Sequence, residues 1–302
     1  MKQILIPTDF SENAWLATLY ALQLYQNEEC VFHLLNTYTP AIVSSRFMAE
    51  NKSNASSVQT SADYSERQLK SLLSKIENEY PNARHYFETY SSFNLLGDEV
   101  QYLVEKEQID LIVMGAKGIS NEDHVFMGKN TVKLLKHIRH CPILAIPSNT
   151  TFEVPNEISF YTNFDKFYTL AELTPLLEMI DTFRATVRVV HLQNELRPLN
   201  ELEQFNLGML RKYFGEREHY IHTISQINTV SRTLRHFNRE LNIHLLALLN
   251  FRNSYMDVVT SEPQVEKEVF SSHVPFLVIP EMTMALKNVR NRTLAGSNSI
   301  NG

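Results

Sequence analysis

Ile109–Pro147 reads IDLIVMGAKGISNEDHVFMGKNTVKLLKHIRHCPILAIP. Leu111-Ile112-Val113-Met114 is a short unbroken apolar run, the pattern of a strand buried on both faces of a parallel sheet. The run stops at Gly115. Gly118 follows, and a polar stretch leads to Gly128. From Thr131 onward, Leu134, Leu135 and Ile138 recur with the spacing of an amphipathic helix. Ile143–Ile146, held between Pro142 and Pro147, closes the unit as a second buried strand. The order is strand, glycine loop, helix, strand.

That order suits an anion. A loop at the carboxyl end of a parallel strand lies where open α/β sheets take ligands. Glycines let backbone N–H groups come close to a ligand. The helix after Gly128 presents unpaired N–H groups and a positive dipole end. Lys117 and Lys129 add charge. On spacing alone the same glycines serve as turns in two connecting loops, and both readings stand at this point.

Gly115-x2-Gly118-x9-Gly128 resembles the G-x2-G-x9-G-[S/T] loop of the ATP-binding universal stress protein family. The Met-Gly at its start and the Cys-Pro-Ile-Leu-Ala-Ile-Pro after it resemble that family too. One position departs: Lys129 stands where the family usually has Ser or Thr. Lys129 keeps its N–H and adds charge but has no hydroxyl to offer. Thr131 matches a threonine that the family often has two residues further on.

The chain has 302 residues, of which 43% are hydrophobic, long enough for two α/β domains. The net charge of −6 and the lack of a basic run interleaved with aromatics argue against nucleic acid as the main partner. No apolar run has membrane-spanning length, and MKQILIPTDF reads as a strand from the outset rather than a signal peptide. Cys30 and Cys141 make no disulfide framework, so a reduced, cytoplasmic setting is the expectation.

Taken in order, Ile4-Leu5-Ile6 is the first strand, and Ser11 is a good N-cap for a helix carrying Trp15, Leu19 and Leu22. Spacing alone makes Asp9 a loop carboxylate helping to cap that helix. The resemblance gives it another role, because Pro-Thr-Asp-Phe-Ser after the first strand is the family's opening. There the Asp receives hydrogen bonds from the adenine side, as a carboxylate acceptor can. Cys30–Thr37 is the second strand, and by resemblance the backbone at Thr37 also faces adenine. Residues 41–62, rich in Ser and Asn, read as a long mobile connection, a lid or a plain surface loop. Leu69, Leu72, Leu73 and Ile76 mark a helix, residues 85–90 a strand, and Leu96, Val100, Leu103 and Val104 another helix. Right-handed crossovers then give a doubly wound sheet. The resemblance supplies the strand order 3-2-1-4-5, which sets Asp9 and Gly115 on one crevice.

The second half reads as a worn copy. ISFYTNF at 158–164 matches ILIPTDF, with Tyr161 for Pro7 and Asn163 for Asp9. Residues 187–191 match the second strand, 242–249 match 108–115, and 274–280 match 141–147. Leu249 stands for Gly115 and Arg252 for Gly118, with Ser261, Glu262 and Pro263 near the third glycine. A non-glycine residue at φ > 0 costs roughly 1–2 kcal/mol, Glu262 repels phosphate and Pro263 has no N–H. This half is expected to bind no nucleotide by the same mode.

The expected architecture is α/β: two doubly wound, five-stranded parallel-sheet domains. Both are Rossmann-like, of the adenine nucleotide alpha hydrolase-like kind. The domains are expected at 1–149 and 156–282, with a polar, disordered tail at 283–302. By resemblance to the family's dimer they pack as an intramolecular pseudo-dimer through 143–146 and 276–279; a further homodimer is left open. The resemblance implies ATP or AMP in the first domain, with Mg²⁺ or Mn²⁺ held mainly by the phosphates. Asp9 and Thr37 address adenine. Gly115, Lys117, Gly118, Gly128, Lys129, Asn130 and Thr131 address ribose and phosphates, and Pro7, Thr8 and Met114 complete the set. Two rivals stand beside this reading. One is an interaction module that takes no nucleotide. The other is a slow ATPase, which lacks the His-x-Gly-His and Ser-Gly-Gly-x-Asp-Ser motifs of related enzymes. His137 and His140, near Cys141, read as surface residues at a helix C-terminus rather than a metal site. Asp123-His124 has no Ser or Cys to complete a triad, and Cys141 reads as a small buried hydrophobe.

Overall fold

A computed structural model describes residues 1–38, 54–117, 128–193, 195–226, 230–250 and 274–281, with 54–60, 129, 231–232 and 250 described in backbone only. The chain divides into two compact units, Met1–Phe152 and Glu153–Gly302.

In the first unit the apolar runs become strands: β1 (Lys2–Pro7), β2 (Cys30–Thr37), β3 (His85–Ser92), β4 (Leu111–Gly115) and β5 (Ile143–Ile146). They lie in the order β3-β2-β1-β4-β5, and every described pairing is parallel. Ile4, Leu5, Ile6, Ile112, Val113 and Leu144 have no exposed surface, which is why these runs are apolar throughout rather than alternating. Helices α1 (Glu12–Leu24), α2 (Asn54–Glu79), α3 (Leu96–Lys106) and α4 (Lys129–His137) make the crossovers. Ser11 caps α1, its side chain accepting from the Ala14 N–H. On α4, Leu134, Leu135 and Ile138 are buried as the spacing predicts.

One boundary differs. The stretch 41–62 was expected to be loop, but α2 starts at Asn54. Ser and Asn are weak helix formers, so local composition argues for loop. Continuity with the periodic residues from Leu69 onward overrides it, because extending an existing helix is far easier than nucleating one. The rest of that connection, 39–53, lies outside the described residues.

The second unit repeats the plan with β6 (Glu157–Tyr161), β7 (Thr186–Gln193), β8 (His219–Ser225), β9 (Leu245–Asn250) and β10 (Phe276–Pro280). Their order is β10-β9-β6-β7-β8, again parallel in every described pairing. The described helices are α5 (Leu170–Phe183), α6 (Glu201–Phe214) and α7 (Val230–Glu240).

The likeness of the units extends to unusual backbone. Phe10 and Phe164 both hold positive φ, 62° and 57°, and so do Gln108 and Asn242, 52° and 47°. In both units the N–H of that Phe is held by the hydroxyl of the Thr two residues earlier, Thr8 or Thr162, at 3.0 Å. Thr8 N–H donates to Leu35 O at 2.8 Å, and Thr162 N–H to Val190 O at 3.0 Å. Positive φ in a non-glycine residue is costly and rare. The two units share it at two matched places.

Cys30 and Cys141 are buried and unpaired to each other. The Cys141 thiol donates to Ile109 O at 3.4 Å, and burial pushes the Cys30 thiol up to about 12, so it does not ionise near neutrality. Among the described residues no helix is long and apolar enough to cross a membrane.

Candidate functional site

β1 and β4 are neighbours joined in the register Ile4–Leu111 and Leu5–Ile112, and beyond it each runs on toward Pro7 and Gly115. The carboxyl ends of these two strands are where the order reverses direction, so the turns after them border one crevice. Two sequence motifs more than a hundred residues apart arrive there because α1 starts directly after the first turn and packs against β4.

Asn13, in the first turn of α1, makes the link. Its Nδ2 donates to Lys117 O at 2.8 Å. A Cβ placed on Gly115 would lie 2.6 Å from that Nδ2 and 3.0 Å from the Asn13 backbone oxygen. Gly115 is therefore a glycine because α1 crosses β4 too closely for any side chain. Spacing could not have shown this reason.

The far end of the loop returns to the same place. Gly128 N–H donates to Ala116 O at 2.7 Å, and Ala116 N–H to Ile146 O at 2.7 Å. Residues 118–127, including Gly118, Asp123 and His124, lie outside the described residues. Gly128 is the N-cap of α4 with φ −66° and ψ 152°, a conformation open to any residue. The first bond into α4 is Val132 N–H to Gly128 O at 3.0 Å. The N–H groups of Lys129, Asn130 and Thr131 lie in the first turn, ahead of the helical ladder. They open at the end of β4, and the dipole adds partial positive charge there. The Lys129 side chain is not described, and Asn130 is exposed.

Thr131 is 2% exposed, and its hydroxyl proton is shared between Gly115 O at 3.2 Å and Ala116 O at 3.1 Å. Its side chain braces the turn after β4 instead of facing outward. Met114 is buried in the sheet and Lys117 is half-buried.

On the other rim, Pro7 and Thr8 are buried and Asp9 is exposed. Asp9 Oδ1 accepts from Ser11 N–H at 3.1 Å and from Ser11 Oγ at 2.6 Å. That is the capping role that spacing alone favours, and it fixes the carboxylate at the mouth of α1. Asn36 Nδ2 donates to Thr8 O at 2.7 Å, tying the end of β2 to the turn after β1. Thr37 is half-buried in register with Ser92. Asn13 and Asn36 are the residues that sequence reading missed. Each is a single amide in an ordinary position, and only the facing backbone carbonyl gives it meaning.

Residues 1–147 match the Universal stress protein family. The first unit is a universal stress protein domain. A universal stress protein from Archaeoglobus fulgidus DSM 4304 has a similar structure, 16% identical, covering 92% of this chain and 98% of its own, with a TM-score of 0.61. A functionally unknown protein from Pseudomonas aeruginosa PAO1 is 12% identical and covers 99% of this chain and 98% of its own, with a TM-score of 0.53. At these identities the likeness is one of fold, and it spans both units. A universal stress protein in complex with cAMP is also among the similar structures. It is 10% identical and covers 43% of this chain and all of its own, with a TM-score of 0.33. No curated protein matches the chain.

The matching crevice of the second unit is built differently. α1 starts at Glu12, almost directly after Phe10, whereas α5 starts only at Leu170. The intervening Tyr168 is 2% exposed, hydrogen-bonded to the Thr162 hydroxyl and set 6.1 Å from the Phe160 ring. Burial pushes its phenol up, out of its ordinary range. Leu249, in the place of Gly115, is 5% exposed. Arg252 and Ser261–Pro263 lie outside the described residues, as does the tail from 282. Among the described residues no group of three His, Cys, Asp or Glu is placed to hold a metal, and His137 lies 4.0 Å from Asp98 near the end of α4.

Proposed function

We propose that the first unit binds an adenine nucleotide, ATP or AMP, and that the protein is a nucleotide-dependent stress-response or regulatory protein of the cytoplasm. One observation carries this reading: the Gly128–Ala116 bond brings the amide end of α4 back to the carboxyl end of β4. In this reading the N–H groups of Lys129, Asn130 and Thr131, with Gly118, hold the phosphates, and Lys117 and Lys129 supply charge. Asp9 and the backbone at Thr37 meet adenine, with Pro7 and Thr8 beneath. Mg²⁺ or Mn²⁺ is carried mainly by the phosphates. The second unit takes no nucleotide by this mode in this reading: Leu249 stands in the place of Gly115, and the buried Tyr168 fills the longer stretch between β6 and α5. Hydrolysis, where present, is slow.

The test is isothermal titration at neutral pH with Mg²⁺ and ATP. Wild type binds, and Asp9→Ala and Gly118→Val bind at least tenfold more weakly, about 1.4 kcal/mol. No binding, or equal binding by both variants, ends the proposal.

A second reading is favoured by one observation. The Thr131 hydroxyl is committed inward and Lys129 has no hydroxyl, so neither residue offers a ligand a side-chain oxygen. That suits an interaction module with an empty pocket. Crystals grown without added nucleotide separate the two: density beside Gly118 supports the nucleotide reading, and a bare loop supports the module.

A further inference from the structure

We propose that Asn13 is a positioning residue for the phosphate loop: it fixes the loop's first turn from α1, so that affinity for a ligand's phosphates, but not for its nucleoside part, depends on it. This inference rests on the nucleotide-binding reading and adds to it a residue outside the glycine motif.

Three carbonyls define the turn leaving β4, and all three accept a hydrogen bond. Gly115 O receives the Thr131 hydroxyl, Ala116 O receives that hydroxyl and the Gly128 N–H, and Lys117 O receives Asn13 Nδ2. The first two are held by α4 and its cap, elements of the loop's own exit. The third is held from across the crevice by a helix that begins at the other rim. Lys117 follows β4 by two residues, so holding its carbonyl fixes the backbone where the chain leaves the strand. Asn13 is thus the one described side chain of α1 that reaches this carbonyl.

The contact is also close. The Asn13 carboxamide occupies the space that a Cβ on Gly115 would need, with Nδ2 at 2.6 Å and Cγ at 3.0 Å. The glycine and the asparagine are therefore a matched pair: the missing side chain at one position makes room for the amide at the other. Asn13 Oδ1 is buried and has no hydrogen-bond partner among the described residues. A buried acceptor without a donor is unfavourable, so packing alone does not explain an amide here. The Nδ2 end gives a reason for it, and the bond it makes is to the phosphate loop.

In the second unit the residue at the same place in the helix, two after the N-cap, is Ala171, which has no amide to donate. The position matched to Gly115 is Leu249. Both members of the pair have changed together in the unit proposed to bind no nucleotide.

The test compares wild type with Asn13→Leu, which nearly keeps the volume and loses the donor, by titration with adenosine, AMP and ATP in the presence of Mg²⁺. Circular dichroism and a thermal melt show whether Asn13→Leu folds. Asn13→Ser, with a shorter side chain, covers the case in which leucine does not fit. The expected result is ATP affinity lowered about tenfold, the loss of roughly one hydrogen bond's ordering effect, with adenosine affinity within about twofold of wild type on the same scale. AMP falls between them. Equal losses for adenosine and ATP would make Asn13 a merely structural residue and overturn the inference, as would unchanged ATP affinity in both variants. Wild-type protein that takes none of the three ligands removes the nucleotide reading itself, and this inference with it.

Discussion

Gly128 donates its N–H to Ala116 O at 2.7 Å, closing the base of the excursion between them. The backbone at Gly128, φ −66°, is the one proline prefers. Gly128→Pro therefore removes the donor with little strain at that residue, and as the N-cap it lies outside the helical ladder of α4. The expected outcome is an intact α4 by circular dichroism and ATP affinity lowered by about tenfold or more. Retained affinity would mean that the loop base does not need this bond.

Thr131 braces the same turn from the first turn of α4. Thr131→Val keeps shape and burial but leaves Gly115 O without its hydroxyl partner, while Ala116 O keeps Gly128. The expected cost is about 1–2 kcal/mol, read as a lower urea midpoint at unchanged slope. An unchanged midpoint would mean that the hydroxyl serves something other than the fold.

Two glycines give opposite expectations. Gly115→Ala drives a Cβ to 2.6 Å from Asn13 Nδ2 and 3.0 Å from its backbone oxygen, and the latter cannot move away cheaply. It is expected to destabilise the protein by about 1–3 kcal/mol. Gly208→Ala, inside α6 with nothing within 4 Å of the new atom, is expected to stabilise by about 0.5–1 kcal/mol. Thermal melts of the two variants should shift in opposite directions.

Much of this arrangement was legible beforehand, for identifiable reasons. The runs at 111–114 and 143–146 are too apolar to be anything but buried strands. Ser11 has the chemistry of a cap, and the repeated T-x-F turn exposes the second unit. What stayed hidden depends on tertiary contact. Asn13 and Asn36 speak only to carbonyls distant in sequence. Thr131 points inward because its hydroxyl finds two carbonyls of the neighbouring turn. α2 reaches back to Asn54 through residues whose own preferences are for loop.

The second unit should be acid-sensitive through Glu203. Its carboxyl is held down to about 2, chiefly by the Arg197 guanidinium, then by the Asn200 N–H, against the opposing effect of burial. A carboxyl lowered in the fold stabilises it fully above the unfolded value of 4.5 and loses that contribution as pH falls toward 2. Arg197 is half-exposed, so solvent screening reduces the effect to about 1–2 kcal/mol. Glu203→Gln is expected to be less stable than wild type at pH 7 by that amount and to approach it near pH 2. A constant difference across the range would assign the loss to packing.

The most direct test of the central claim is a crystal structure of the full chain grown with ATP and Mg²⁺. Phosphate oxygens within hydrogen-bond reach of the Lys129 and Asn130 amides, adenine on the Asp9 side and no nucleotide beside Leu249 are the predicted result. Nucleotide in the second unit, or phosphates away from the start of α4, would contradict it.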